Sequence, residues 1–154
     1  MLFRSVTLTS GESYPAELIG SDEENDVALL KIDAADLPVV SIGESDDLQV
    51  GAQVAAIGNP LGELTNTLTV GYVSALDREI NTDGTPINML QTDAAINSGT
   101  SGGPLFDMYG NVVGITTAKY ASSSIEGLGF AIPINDAMYI IYDLMEYGYV
   151  TSRP

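Results

Sequence analysis

Gly99-Thr100-Ser101-Gly102-Gly103-Pro104 is the part of this 154-residue chain best suited to covalent chemistry. A serine hydroxyl is a weak nucleophile unless a tight turn holds it beside a base and near donors for a developing oxyanion. Gly99, two positions before Ser101, permits the strained dihedrals of such a turn, while Gly102 and Gly103 keep side chains clear of an approaching acyl group. A glycine-rich β-turn with an idle serine would have the same composition. The base is the difficulty. The chain contains no His and no Cys, so it cannot by itself complete an imidazole mechanism, a thiol nucleophile, a zinc ribbon or a disulfide framework.

Charge narrows the function classes further. The formal net charge is −16, from 21 acidic and 5 basic residues. That balance excludes a nucleic-acid binder working by phosphate neutralisation, and it argues against docking on anionic lipid. The acidic run Asp22, Glu23, Glu24 and Asp26 lacks the alternating spacing that wraps a loop around Ca²⁺ and reads as a solvated turn. No metal and no cofactor are expected. Cysteine-free chains occur in both reducing and oxidising compartments. No apolar run is long enough for a membrane span, and Met1-Leu2-Phe3-Arg4-Ser5 is too short for a signal peptide.

The elements that must position Ser101 are mostly strands. Val6-Thr7-Leu8-Thr9 alternates apolar and polar residues, and Ser10-Gly11-Glu12-Ser13 turns the chain into a second strand at 14–19, a hairpin signature. Further strands are expected at 27–32, 53–57, 67–75, 87–91, 112–117 and 127–132. Between them lie turn clusters such as Gly58-Asn59-Pro60-Leu61-Gly62 and Thr82-Asp83-Gly84-Thr85-Pro86. This is the punctuation of an all-β barrel or sandwich. One helix is expected at 135–150. Asn135 would cap it, Asp136 suits its positive end, and Gly148 stands where a C′ glycine belongs. Ala137, Ile140, Ile141, Leu144 and Met145 fall on one face and should meet a core.

Around the serine, Gln91-Thr92-Asp93-Ala94-Ala95-Ile96-Asn97 leads into the turn and Gly110-Asn111-Val112-Val113-Gly114-Ile115 follows it. Here the chain resembles the protease domain of HtrA/DegP-type serine endopeptidases. The family pattern D-A-A-I-N-x-G-N-S-G-G-P-L is matched except for Thr100 in place of the usual Asn. Asp26-Val27-Ala28-Leu29-Leu30-Lys31-Ile32, Ala56-Ile57-Gly58-Asn59-Pro60, 70–75 and Gly129-Phe130-Ala131-Ile132-Pro133 are similar to the family as well. The likeness runs from about Val6 to Pro154.

This resemblance implies an all-β, chymotrypsin-like double β-barrel with its first barrel incomplete, plus a C-terminal α-helix. Residues 1–49 would be the C-terminal part of the first barrel, 50–134 the second barrel, 135–150 the helix and 151–154 the start of a linker. It also implies Ser101 as nucleophile, with the N–H groups of Gly99 and Ser101 forming an oxyanion hole. Asp26 matches the triad acid, though an Asp there also suits a turn before a strand. Ile96 and Thr117-Ala118-Lys119-Tyr120 match positions that line the primary specificity pocket and pair with substrate backbone; Ile96 equally suits plain core packing. Tyr120 replaces a more usual aliphatic residue, which alters the expected pocket. Residues 77–86 and 121–124 resemble the mobile loops that switch such sites on, and ordinary surface loops would share their composition.

In the family the triad histidine lies a few tens of residues before the aspartate, where this sequence has no room for it. The expectation is a chain that starts inside the first barrel, with unpaired strand edges near 6–32, and that does not hydrolyse peptides alone. Leu2-Phe3-Arg4-Ser5 is also what CTC TTC CGA TCT, a common sequencing-adapter end, encodes; the natural protein is expected to be longer. The family implies unfolded or damaged polypeptides as substrates and an extracytoplasmic location in the periplasm or envelope, with membrane anchoring through a preceding segment. It further implies a following PDZ domain and a homotrimer. The competing reading is a non-catalytic pseudo-protease that captures extended peptides by strand addition.

Overall fold

The computed structural model describes residues 4–59, 66–82, 85–120 and 127–151. The chain divides into two compact units, one made of Met1–Val39 with Met138–Pro154, the other of Val40–Ala137.

The first unit contains an antiparallel sheet of β1 (Arg4–Thr7), β2 (Ser13–Asp22) and β3 (Val27–Ile32), in the order β1-β2-β3. Gly11, at φ 88°, supplies the left-handed residue of the expected hairpin turn, and its N–H donates to the Leu8 carbonyl at 2.9 Å. β1 begins at Arg4, two residues earlier than the alternation suggests. β2 runs on past 19 to Asp22, because a bulge between Leu18 and Gly20 absorbs the break in alternation. The outer strands β1 and β3 are the sheet's edges among the described residues.

The second unit is a closed ring. Its strands are β5 (Gln53–Gly58), β6 (Thr67–Thr82), β7 (Thr85–Thr92), β8 (Pro104–Phe106), β9 (Asn111–Thr117) and β10 (Gly129–Pro133), paired in the order β10-β7-β6-β5-β8-β9. β10 then pairs with β9, from Phe130↔Thr117 to Pro133↔Gly114, and so removes the open edge. β4 (Ser41–Ile42) adds to β9 in parallel. Val54, Ala56, Val73, Leu90, Leu105, Val113 and Ala131 fill the ring. Burying each of the larger ones removes apolar surface from water at about 1.5–3 kcal/mol.

Two expectations fail in this unit. Residues 77–86, read as a mobile loop, are largely strand: β6 continues to Thr82 and pairs through Arg78↔Met89, Glu79↔Asn88 and Ile80↔Ile87. Irregularities between Val73 and Arg78, with Asp77 at φ 50°, break the sequence pattern without ending the strand. β4 and β8 were not expected, since two or three residues carry too little periodicity.

Helix α1 (Ile134–Tyr147) closes the chain. Asn135 lies inside its first turn and does not cap it. Its side-chain oxygen accepts the Ser45 N–H at 3.0 Å, its side-chain nitrogen donates to Glu44 Oε2 at 2.9 Å, and its N–H donates to Ser45 Oγ at 3.1 Å. Asn135 therefore ties the helix start to the short 3₁₀ turn at Ser45–Asp47. Gly148 does end the helix, at φ 77°, donating its N–H to the Leu144 carbonyl. Ala137, Ile140 and Leu144 are buried and Ile141 is half-buried, but Met145 is 64% exposed, because it lies at the side of the stripe, beyond Ile141. Within the first unit a side chain at Gly20 would strike Leu144 and the Gly148 carbonyl, so β2 and the helix end meet there at backbone distance.

Candidate active site

The Ser101 turn is built by glycine and threonine. Gly102 adopts φ 83°, which an L side chain rarely tolerates, and its N–H donates to the Thr116 carbonyl at 2.7 Å. The Thr116 N–H returns to the Gly103 carbonyl at 2.9 Å, and its hydroxyl donates to the Thr100 carbonyl at 2.5 Å. These bonds stitch the turn to β9. On the other side, Gly103 lies against the Ile57 carbonyl and Gly58 against Thr100, too close in both places for a Cβ. Thr100, where the family carries Asn, is buried and accepts the Asn97 N–H at 2.9 Å.

Upstream, the segment is pinned to β6. Asp93 Oδ1 accepts the Tyr72 N–H at 2.6 Å, and the Thr92 hydroxyl donates to the Tyr72 carbonyl at 2.8 Å. The Thr69 hydroxyl donates to the Ala95 carbonyl at 3.0 Å. Ser101 is left exposed, with Oγ accepting the Ala118 N–H at 2.9 Å. A cavity of about 490 Å³ opens beside it, lined among others by Gly58, Asn59, Asn66, Ser98 and Gly99.

The site residues singled out by sequence fall as follows. Ser101, Gly99, Ile96 and Thr117-Ala118-Lys119-Tyr120 all belong to the second unit. Ala118 touches Ser101 directly. Thr117 is buried and its hydroxyl accepts the Lys119 N–H at 3.2 Å. Ile96 is half-buried and packs both on the barrel core and against Gly129, where a side chain would collide with it. Gly99 donates its N–H to Asn97 Oδ1 at 2.8 Å, and Ser101 donates its N–H to the Asn97 carbonyl at 2.9 Å. Both donors that the resemblance assigns to an oxyanion hole are thus engaged inside the turn. Residues 121–124, read as a switching loop, lie outside the described residues.

Asp26 belongs to the first unit, on the turn between β2 and β3, exposed and at φ 58°. The acidic run it ends is not wholly solvated. Asp22 is buried, and its carboxylate accepts the N–H groups of Glu24 and Asn25 and the Asn25 amide, satisfying the turn from within.

Asn97, Thr92, Asp93 and Thr116 were missed as site residues. Asn97 carried the one readable signal, an Asn two places before a glycine, which is an Asx-turn pattern. Elsewhere in the second unit, a cavity of about 260 Å³ is lined by Asp46, Asp77, Asn88 and Asp136. Burial, and then the charges of Asp46 and Asp77, push the Asp136 carboxyl above its ordinary range.

A family model of the trypsin-like peptidase domain matches residues 2–115. The chain is 47% identical over 156 residues to the serine protease Do-like HtrB of Bacillus subtilis, covering 97% of this chain and 34% of that protein. Against a probable periplasmic serine endoprotease, DegP-like, of Halomonas elongata the figures are 46%, 95% and 31%. Against the chloroplastic protease Do-like 1 of Arabidopsis thaliana they are 47%, 97% and 35%. The chain therefore spans about a third of the length of these relatives. Among solved structures, the HtrA-type protease AlgW with a decapeptide superposes at a TM-score of 0.86 with 43% identity, covering 95% of this chain and 45% of that one. The serine endoprotease from Yersinia pestis gives 0.81 and 41%, covering 95% and 50%.

Proposed function

The chain belongs to the trypsin-like peptidases, among the HtrA/DegP serine proteases, and from that premise we propose that it is the protease-domain part of an endopeptidase acting on unfolded or damaged polypeptides. One observation carries the reading. The glycine turn at 99–103 holds Ser101 exposed beside a cavity, with its hydroxyl fixed by the Ala118 N–H.

In the proposed mechanism Ser101 Oγ attacks the scissile carbonyl and passes its proton to an imidazole. Asp26 orients that imidazole and stabilises its charged form. The N–H groups of Gly99 and Ser101 receive the oxyanion after leaving Asn97. The imidazolium then protonates the departing amine, and water releases the acyl group from Ser101. Ile96 and Thr117-Ala118-Lys119-Tyr120 bind the acyl side of the substrate. Because the sequence has no His, the imidazole must come from outside these 154 residues, and the chain alone does not hydrolyse peptides. A homotrimer with a following PDZ domain, working outside the cytoplasm, fits the same reading; the Halomonas elongata relative is described as periplasmic.

The test joins a His-bearing N-terminal segment to this chain. Peptidase activity that appears on joining and is lost in Ser101→Ala supports the proposal. Fluorophosphonate labelling of the unjoined chain, lost in Ser101→Ala, would overturn the expectation that it is inactive. The engagement of both turn donors by Asn97 favours a second reading, a peptide binder that does not cut. Binding without cleavage after joining would select it.

A further inference from the structure

Thr100 stands where the family pattern carries Asn, and it is buried. Its hydroxyl serves one residue twice. It accepts the Asn97 N–H at 2.9 Å and donates to the Asn97 carbonyl at 3.3 Å. The Thr100 N–H donates to that carbonyl as well, at 3.1 Å. Asn97 in turn spends its two oxygens on the N–H groups of Gly99 and Ser101. The Thr100 hydroxyl therefore grips the residue that covers both donors.

The two partners of this grip differ in freedom. Thr100 is fixed: its carbonyl accepts the Thr116 hydroxyl and, at 3.1 Å, the Gly103 N–H, and Gly58 lies against it with no room for a Cβ. Asn97 is exposed, so water can satisfy its N–H and both its oxygens once the hydroxyl is gone. Three donors also converge on the Asn97 carbonyl oxygen, which has two lone pairs. The oxygen that the Ser101 N–H uses is thus kept in the turn by a buried neighbour.

We propose that Thr100 is a positioning residue for acyl transfer at Ser101: its hydroxyl latches Asn97 onto the N–H groups of Gly99 and Ser101, so that the turn rests with its oxyanion donors closed. This rests on the peptidase-site reading above, with those two N–H groups as the oxyanion donors.

Valine has nearly the shape of threonine, so Thr100→Val deletes the hydroxyl and keeps the contact with Gly58. Thr100→Ser keeps the hydroxyl and deletes the methyl. Residue-by-residue hydrogen exchange on the 154-residue chain and on both variants reads the latch. In Thr100→Val the Gly99 and Ser101 amides are expected to exchange about three- to tenfold faster, the worth of one net hydrogen bond. Gly102, whose N–H goes to the Thr116 carbonyl, should keep its rate, and Thr100→Ser should match the native chain at all three. Native rates at Gly99 and Ser101 in Thr100→Val overturn the proposal. So does equal acceleration of Gly102, which would mean a loosened turn, and so does a failure of Thr100→Ser to match. Thr100→Ala removes the same oxygen and must give the same pattern if the valine variant does not fold.

A second titration ties the latch to the reaction. Its probe is a hexapeptide ending in Ala with a free carboxylate, whose oxygen can take the oxyanion's place, and binding is followed by the Gly99 and Ser101 amide shifts. Thr100→Val should bind it more tightly by about the factor seen in exchange, because a larger fraction of the chain is open. The same peptide ending in a carboxamide should bind both chains alike. Equal affinity for the carboxylate peptide in both chains overturns the proposal. If exchange follows the expected pattern but the peptide shifts neither amide in any chain, the peptidase-site reading fails, and the part of Thr100 in that reaction with it. Native exchange rates in Thr100→Val remove the latch and leave that reading standing.

Discussion

The side-chain oxygen of Asn97 accepts the Gly99 N–H at 2.8 Å, while the main-chain oxygen of the same residue accepts the Ser101 N–H at 2.9 Å. One residue therefore occupies both donors that an acyl-transfer site would aim at an oxyanion. The two holds differ in kind, because a side chain can be deleted and a carbonyl cannot. Asn97→Ala should expose the Gly99 amide and leave that of Ser101 bonded, at a net cost of about 1 kcal/mol. Hydrogen exchange read residue by residue checks this. Gly99 should speed up markedly and Ser101 should not; equal acceleration of the two would contradict the assignment.

Asp136 sits in the first turn of α1, where the helix dipole favours a negative charge by about 0.3–1 kcal/mol. Burial and the facing carboxylates of Asp46 and Asp77 oppose that charge and win, since the carboxyl is pushed up from 3.8. The folded state consequently holds the proton more tightly than the unfolded state. Stability from this group is complete below the unfolded value and declines as pH rises through the raised folded value. Asp136→Asn should therefore stabilise the protein at neutral pH, with no gain at pH well below 3.8. Thermal unfolding at both pH values decides it.

Asp107 behaves in the opposite way. Burial alone would raise its pKa, but hydrogen bonds from the backbone and side chain of Asn111, and from the N–H groups of Tyr109 and Gly110, outweigh it and lower the carboxyl below 3.8. Its stabilisation is present above the unfolded value and is lost as pH falls through the folded one. Asp107→Ala should cost about 1–2 kcal/mol near neutrality, because the β8–β9 turn loses its acceptor. The cost should shrink in strong acid. Urea unfolding midpoints across pH provide the comparison.

Gly58 leaves room for Thr100, the residue before Ser101. An added Cβ would stand 2.5 Å from Thr100 Cα, a backbone atom with no rotamer to escape into. Gly58→Ala is expected to destabilise by about 1–3 kcal/mol through overpacking and to shift the amides of 97–103. Gly110→Ala, at φ 83° on the β8–β9 turn with open space around it, should instead pay only for backbone strain and leave those amides in place.

Tyr120→Phe should raise the stability of the unliganded chain by up to about 1 kcal/mol, since it removes an unpaired buried hydroxyl and leaves the ring. A clear loss on thermal unfolding would mean that the hydroxyl has a structural partner.

The conformation of the turn was legible because it depends on residue type at fixed spacing. Only glycine takes φ 83° easily at 102, and only glycine fits against Ile57 at 103. The helix end was legible for the same reason, through Gly148. What failed depended on contacts between distant residues. Asn135 looks like a cap until Ser45 and Glu44, 90 and 91 residues away, claim its side chain. Met145 matches the apolar spacing but lies at the side of the stripe, where the helix is not covered. The strand through 77–82 was hidden because Asp77, left-handed and polar, reads as a loop unless its bulge is known. β8, three residues long, is specified by β5 and β9 on either side more than by its own pattern.

The first unit joins residues 1–39 to residues 138–154, with Gly20 of β2 set against Leu144 and Gly148. Synthesis in chain order makes those two segments unequal in time. Residues 40–137, which hold every strand of the closed ring, are all translated before the helix segment that the early sheet needs. At about 5–20 residues per second, residues 138–154 follow roughly 1–3 seconds later. Through that interval the nascent protein carries a sheet at Arg4–Ile32 still without the later segment that packs against Gly20.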